Sequence, residues 1–115
     1  MSCKPNTEQR LHWNRVAELG CILTRRPAEI AHCHGGSMKL LGPEWQPGMA
    51  QKQNHWLVIP LSPELHRYGK LSLDEGSVED WEERWSTQID LLAQVGGVLG
   101  YCVFERAGVD PALVK

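Results

Sequence analysis

The segment VIPLSPELHRYG, at positions 58–69, places a strand directly before a helix. Residues 56–59 (WLVI) form a short run of large apolar side chains, typical of a buried strand, and the following proline is expected to end it. The tripeptide at 62–64 (SPE) is a favourable helix start, because it offers an N-cap serine, a first-turn proline and an acidic side chain. Gly69 stops this helix early. The chain therefore contains a strand–helix unit with one histidine, His66, on the helix.

An N-terminal helix is predicted over residues 7–19. Asn6 followed by Gln9 matches a capping box, and Gly20 is a natural stop. Residues 21–23 and 28–33 are two short apolar segments that could pair as a hairpin. The inward stripe of the helix is expected to comprise Leu11, Arg15, Val16 and Leu19, with His12 exposed.

The longest predicted helix covers residues 78–95, with Ser77 and Asp80 at its start and the glycine pair 96–97 at its end. Residues 35–54 are punctuated by glycine and proline and predict a functional or disordered loop. The pattern leaves residues 98–108 undecided between helix and strand. The apolar stripe of the long helix recurs every three or four residues and comprises Trp81, Trp85, Ile89 and Leu92, all expected in the core.

Length and composition restrict the class of protein. A chain of 115 residues is expected to form one domain. No apolar run approaches a membrane span, and the first ten residues contain no hydrophobic signal core, so we expect a soluble protein of the reducing cytoplasm. The four cysteines show no paired C-x-x-C spacing, which excludes a recognisable disulfide framework or complete zinc knuckle: Cys3, Cys21, Cys33 and Cys102.

Charge is distributed unevenly along the chain. Residues 1–70 carry a balance of +4, whereas residues 71–115 carry a balance of −6. The basic part is a possible polyanion surface, although two ordinary solvated faces would give the same balance.

The histidines fall at chemically suggestive points in the element order. The predicted element order is strand, loop, strand and short helix, which is the order of a ββα-metal centre. This order would place His32 at the end of the first strand and His66 on the helix. In such a centre a neutral imidazole takes a proton from water, while a divalent cation holds the scissile phosphate. As a bare pattern, a surface or half-buried structural histidine is the better explanation for each position.

Three segments carry a resemblance to a known family: EQRLHWNRVAELGCILTRRPAEIAHCHGGSM, NHWLVIPLSPELHRYG and WEERWSTQIDLLAQV. Together they resemble the phage recombination-enhancement nucleases, which are RecA-dependent members of the HNH (ββα-metal) group. The likeness covers residues 8–95. It implies an α+β domain over 1–115, with a ββα-metal centre flanked by an N-terminal helix and a longer C-terminal helix. It also implies metal-dependent DNA cleavage in a bacterial host cytoplasm. DNA is the expected partner, and a recombinase filament or another phage or host protein is a further candidate partner.

Compared with that family, the zinc-knuckle positions have changed. The resemblance assigns zinc ligands to the positions of Cys21, Thr24, Ser62 and Leu65, of which only Cys21 is a ligand type. We therefore expect no structural zinc, and we expect packing by Leu65 to hold the strand and helix together.

One of the active-site positions differs from the family pattern. The resemblance makes His32 the general base, His66 a metal ligand and His55 the residue that orients the base or the phosphate. Ala31 stands where a further metal ligand belongs, and His34 is a candidate replacement because it lies on the same side of an extended chain as His32. Magnesium or manganese is the expected ion, and nickel or zinc would also suit imidazole ligands.

Basic residues around these positions are candidate DNA contacts. Alternative functions stay open: a catalytically degenerate HNH-like module that binds DNA or protein, or a protein that binds a nuclease or recombinase through its acidic C-terminal helix. The candidate phosphate contacts are Arg25, Arg26, Lys39, Lys52, Arg67 and Lys70.

Overall fold

The computed structural model describes residues 5–41, 55–69, 71–110 and 113. Those residues form an α+β arrangement of helices and one small sheet, as the sequence predicts. Within them, no helix is long and apolar enough to cross a lipid bilayer. The elements are α1 (Thr7–Glu18), β1 (Glu29–His32), a 3₁₀ helix (Gly36–Leu41), β2 (Val58–Leu61), α2 (Pro63–His66), α3 (Val78–Arg84), α4 (Gln88–Leu99) and α5 (Val103–Ala107).

The sheet pairs β1 with β2 in antiparallel orientation, from Glu29 opposite Leu61 to His32 opposite Val58. The prediction that Pro60 ends the strand is wrong, because β2 continues through it. The Pro60 carbonyl accepts a hydrogen bond from the Ile22 N–H at 3.0 Å, so the polar groups of this residue point away from β1. Its missing N–H therefore removes no hydrogen bond from the ladder.

The predicted hairpin between residues 21–23 and 28–33 is also wrong. Residues 21–26 form a turn, in which the Cys21 N–H donates to the Arg26 carbonyl and the Arg25 N–H donates to the Cys21 carbonyl, each at 2.8 Å. Arg25 has a left-handed backbone conformation, with a φ of 62°. Since a turn occupies these residues, the partner of β1 is β2.

The N-terminal helix begins as predicted, with the full capping box between Asn6 and Gln9. Its inward face differs from the predicted stripe. Val16 and His12 are buried, whereas Leu11 and Leu19 are exposed. The helix is therefore rotated so that an imidazole enters the core in place of a leucine.

The predicted helix over 78–95 is two helices. α3 ends at Arg84, and α4 starts afresh after Thr87, whose side chain caps the Asp90 N–H. The break leaves Trp85 39% exposed, so its predicted place in the core is wrong, while Trp81 is buried as predicted.

The glycine pair at 96–97 does not end α4, which continues to Leu99. A β-carbon at Gly96 would lie 2.7 Å from the Tyr101 carbonyl oxygen, so glycine here permits the following chain to cross the helix closely. Gly100, with a φ of 86°, ends the helix. The undecided residues after it include the short helix α5, and the core lies between the sheet, α1 and α4.

Candidate functional site

Strand pairing brings two of the predicted site histidines together. His32 is the last residue of β1, and His55 precedes β2, which starts at the residue paired with His32. His32 Nε2 lies 3.1 Å from His55 Nδ1, and the two rings meet edge to face. One nitrogen must donate and the other accept, so each ring fixes the tautomer of its neighbour.

Helix α1 supports this pair through Trp13, a residue that the sequence analysis did not single out. The Trp13 indole N–H donates to the His55 carbonyl at 2.7 Å. The indole ring also stands edge to face against both imidazoles, with centroids 5.4 Å from His32 and 5.2 Å from His55. The sequence feature that could have indicated this role is the position of Trp13 next to His12 in a mostly polar helix.

The neighbouring His12 makes a second connection from the same helix. Its Nε2 lies 3.1 Å from the Trp56 carbonyl oxygen and its Nδ1 lies 2.5 Å from the Tyr101 hydroxyl oxygen. A neutral ring satisfies both contacts, donating from Nε2 and accepting at Nδ1. Burial lowers the pKa of His12, more than its hydrogen bond to Trp56 raises it. The predicted exposure of His12 is therefore wrong, because its burial is fully compensated by hydrogen bonds.

A second group of side chains is centred on His66. Its Nδ1 lies 2.6 Å from a Glu29 carboxylate oxygen, and its Nε2 lies 3.2 Å from Asp74 Oδ2. His34 reaches the other oxygen of the same carboxylate, with Nε2 3.0 Å from Asp74 Oδ1. Asp74 thus bridges the two histidines that the sequence predicts as metal ligands.

The two groups are close enough to interact electrostatically. Burial lowers the pKa of His32, the charges of His55, His66 and His34 lower it further, and Asp74 opposes the shift. The net effect favours a neutral His32 imidazole, the form that a general base requires.

Glu29 and Asp74 were missed as site residues, because a surface carboxylate carries no local signal. Glu29 lies two residues before Ala31 in β1, and therefore on the same face of the strand. Ala31 is fully buried in the core. The predicted missing ligand was at position 31. The carboxylate that contacts His66 instead comes from Glu29, the preceding residue on the same face of β1.

Imidazole nitrogens and carboxylate oxygens are donor types that bind divalent cations. In the described part of the chain, no group of three or more His, Cys, Asp or Glu side chains is placed so that it could hold a metal ion. An imidazole nitrogen about 3 Å from a carboxylate oxygen carries a hydrogen that it donates to that oxygen or, when an ion is bound, shares the ion with it. His34, His66 and Asp74 could therefore hold an ion only after their side chains turn toward a common point.

The predicted zinc-knuckle positions also lie together. The Cys21 thiol is hydrogen-bonded by the Thr24 hydroxyl and by backbone N–H groups that include that of Ser62. Burial raises the pKa of this thiol, but these hydrogen bonds outweigh it and leave the pKa below its ordinary value. Leu65 is half-buried and packs against the core. Cys33, two residues after Ala31, has its pKa raised by burial.

The predicted DNA contacts that the structure describes lie on different elements. Arg67 is beside the histidines, with its Nε 2.8 Å from the Glu29 carboxylate. Lys39 lies on the 3₁₀ helix and forms an exposed ion pair with Glu79 at 3.5 Å. Arg25 and Arg26 are exposed on the 21–26 turn, and Lys52 and Lys70 lie outside the described residues.

Comparison with protein-family models, with curated proteins and with solved structures finds no match for this chain.

Proposed function

We propose that the protein is a metal-dependent DNA endonuclease of the HNH type, acting in phage recombination or DNA processing, with a ββα-metal centre built from β1, β2 and α2. One observation carries the proposal. The paired imidazoles of His32 and His55 lie within electrostatic reach of a second group, in which His34 and His66 share the Asp74 carboxylate. A general base and a cation site would then act on the same phosphate.

His32 is the proton acceptor in this proposal. In the tautomer where His32 Nε2 donates to His55 Nδ1, the Nδ1 lone pair of His32 is left to take a proton from the attacking water. His55 holds that tautomer, and Trp13 holds the backbone of His55. The electrostatic environment of His32 keeps it neutral until the proton is transferred.

His34, His66 and Asp74 are the side chains that would hold the ion. A divalent ion, when bound, would stabilise the charge that develops on the phosphate and on the leaving oxygen. Glu29 accepts a hydrogen bond from His66 Nδ1, which leaves the Nε2 lone pair directed at the ion site. Imidazole donors suit manganese, nickel or zinc, and the carboxylate also suits magnesium.

Cleavage assays test the proposal directly. Plasmid and single-stranded DNA are incubated with the protein and with magnesium, manganese, nickel or zinc in turn. His32→Ala and His66→Ala should each abolish metal-dependent cleavage, with thermal melting in EDTA within a few degrees of wild type. Asp80→Asn, on α3, is the matched control and should cleave normally.

A second candidate function is a catalytically degenerate HNH-like module that binds DNA or protein. It is favoured by one observation: the side chains of His34, His66, Asp74 and Glu29 already contact one another through hydrogen bonds and salt bridges. Wild-type protein that binds DNA but cleaves it with none of the four metals would select this function.

A further inference from the structure

An exposed aromatic side chain lies next to the candidate site. Tyr68 follows α2, two residues after His66, and 58% of its surface is exposed. The guanidinium carbon of Arg67 lies 4.9 Å from the centroid of the Tyr68 ring. A cation at this distance is attracted to the ring and restricts its rotation.

Arg67 is itself fixed by the site. Its Nε lies 2.8 Å from Glu29 Oε1, the same oxygen that lies 2.6 Å from His66 Nδ1. A continuous series of contacts therefore connects His66 to the Tyr68 ring. A flat ring that is restrained before binding loses less conformational entropy when a ligand stacks on it.

We propose that Tyr68 is a stacking platform for an unpaired DNA base next to the scissile phosphate, and that the substrate is consequently single-stranded or locally opened DNA. This inference rests on the proposed function. In a duplex, both faces of each base are covered by neighbouring bases, so a base must leave the stack before a protein ring can cover it.

The surroundings of the ring fit this ligand. Every base has a π-face, so stacking on Tyr68 would tolerate any sequence. Arg67 is half-exposed and has N–H donors beyond the one directed at Glu29, which can contact the phosphate that flanks the stacked base. The Arg67 side chain would then orient the Tyr68 ring, on which the base stacks, and would also bind the backbone of that nucleotide.

The test measures binding rather than turnover. The full chain carrying His32→Ala is titrated, with magnesium present, into a fluorescent single strand and into the duplex of the same sequence, and anisotropy is recorded. Tyr68→Leu added to this protein should weaken single-strand binding at least about fivefold. Tyr68→Phe, which keeps the ring, should retain it, and duplex binding should be unchanged in both.

The chain offers a matched control. Trp85 is a second exposed aromatic residue with an arginine over its ring, since the Arg84 guanidinium lies 5.6 Å from its centroid. Trp85→Leu should leave single-strand affinity unchanged.

The possible outcomes separate this inference from the proposed function. Equal single-strand affinity for the Tyr68→Leu and Tyr68 proteins would overturn the inference, even if wild type cleaves DNA. A preference for duplex, or no binding to single strands, would overturn it as well. Failure of wild type to cleave any DNA would instead count against the proposed function.

Discussion

At the scale of single residues, His12 shows how a partner distant in sequence decides burial. Histidine is intermediate in burial on average, and nothing near His12 in sequence indicates that its ring is fully buried. Its two hydrogen-bond partners are 44 and 89 residues away along the chain. Burial of this ring has a consequence for stability that can be measured.

The free energy of unfolding should fall as pH decreases from 7.5 to 5. Burial holds the pKa of His12 below its ordinary value of 6.5, so the unfolded chain binds this proton more readily than the folded chain. Stability from this residue is therefore complete above pH 6.5 and is lost below it. His32, whose pKa is lowered in the same direction, adds to the slope.

Urea denaturation of wild type and His12→Gln, each at several pH values, measures the contribution of His12. The variant keeps an amide donor for the Trp56 carbonyl but cannot be protonated, so its stability should depend less on pH. An unchanged pH slope would show that His12 is not the residue responsible.

Glu29 should influence metal binding without being a ligand in this scheme. It accepts a hydrogen bond from His66 Nδ1, and loss of such an outer partner typically weakens metal affinity roughly 10- to 100-fold. Titration calorimetry with manganese should show this loss for Glu29→Gln, while Asp80→Asn on α3 should bind as wild type does. Equal affinity in Glu29→Gln would place the ion away from His66.

At the scale of elements, local signals were reliable where they were complete. The capping box of α1 and the start of α3 were predicted because cap residues act within one turn. Helix α2 also begins after Ser62 as predicted, but the Ser62 side chain makes no capping hydrogen bond. The break between α3 and α4 was missed because apolar residues keep helical spacing across it. The Thr87 cap is the sequence feature that distinguishes two helices from one. Threonine is also common inside helices, so its presence at this position does not indicate a break.

The crossing of Gly96 by the following chain gives a matched pair of substitutions. Gly96→Ala should destabilise the protein by roughly 1–3 kcal/mol, because its β-carbon would meet the Tyr101 carbonyl oxygen at 2.7 Å. Gly97→Ala meets open space and should stabilise the same helix by roughly 0.5–1 kcal/mol. Urea denaturation of both variants tests the crossing, and a stabilising Gly96→Ala would contradict it.

At the scale of the whole molecule, the predicted basic surface is partly neutralised. Arg67 is paired with Glu29 and Lys39 with Glu79, and the carboxylates of Glu29 and Asp74 lie within the candidate site. A phosphate approaching this site without a metal ion would meet negative charge. A bound divalent cation would reverse that charge locally.

DNA binding by the His32→Ala protein should therefore require a divalent cation. Affinity measured by anisotropy should be much weaker in EDTA than in magnesium or manganese at constant ionic strength. Affinity should also decrease with added salt, and replacing Arg25 and Arg26 with alanine should reduce the slope by about two if each contacts one phosphate. Binding that is equally strong in EDTA would argue against an ion between protein and DNA.

The candidate site was predictable to the extent that it follows from element order. Pairing of the two strands brings His32 and His55 together, while His66 of α2 and His34 both contact Asp74. The carboxylates and Trp13 could not be predicted, because their roles depend on contacts between distant segments. The same limit explains why strand pairing was assigned to the wrong partner at residues 21–23.

The proline within β2 has a consequence for how copies of the chain behave toward one another. A two-stranded sheet leaves an outer edge on each strand, and an edge that offers regularly spaced donors can recruit a strand from another copy. At the outer edge of β2, Pro60 provides no donor, and its carbonyl is already occupied by Ile22. A strand from another copy would therefore find neither an N–H donor nor an available carbonyl acceptor at Pro60. We expect this edge to resist the strand pairing between copies from which aggregates begin.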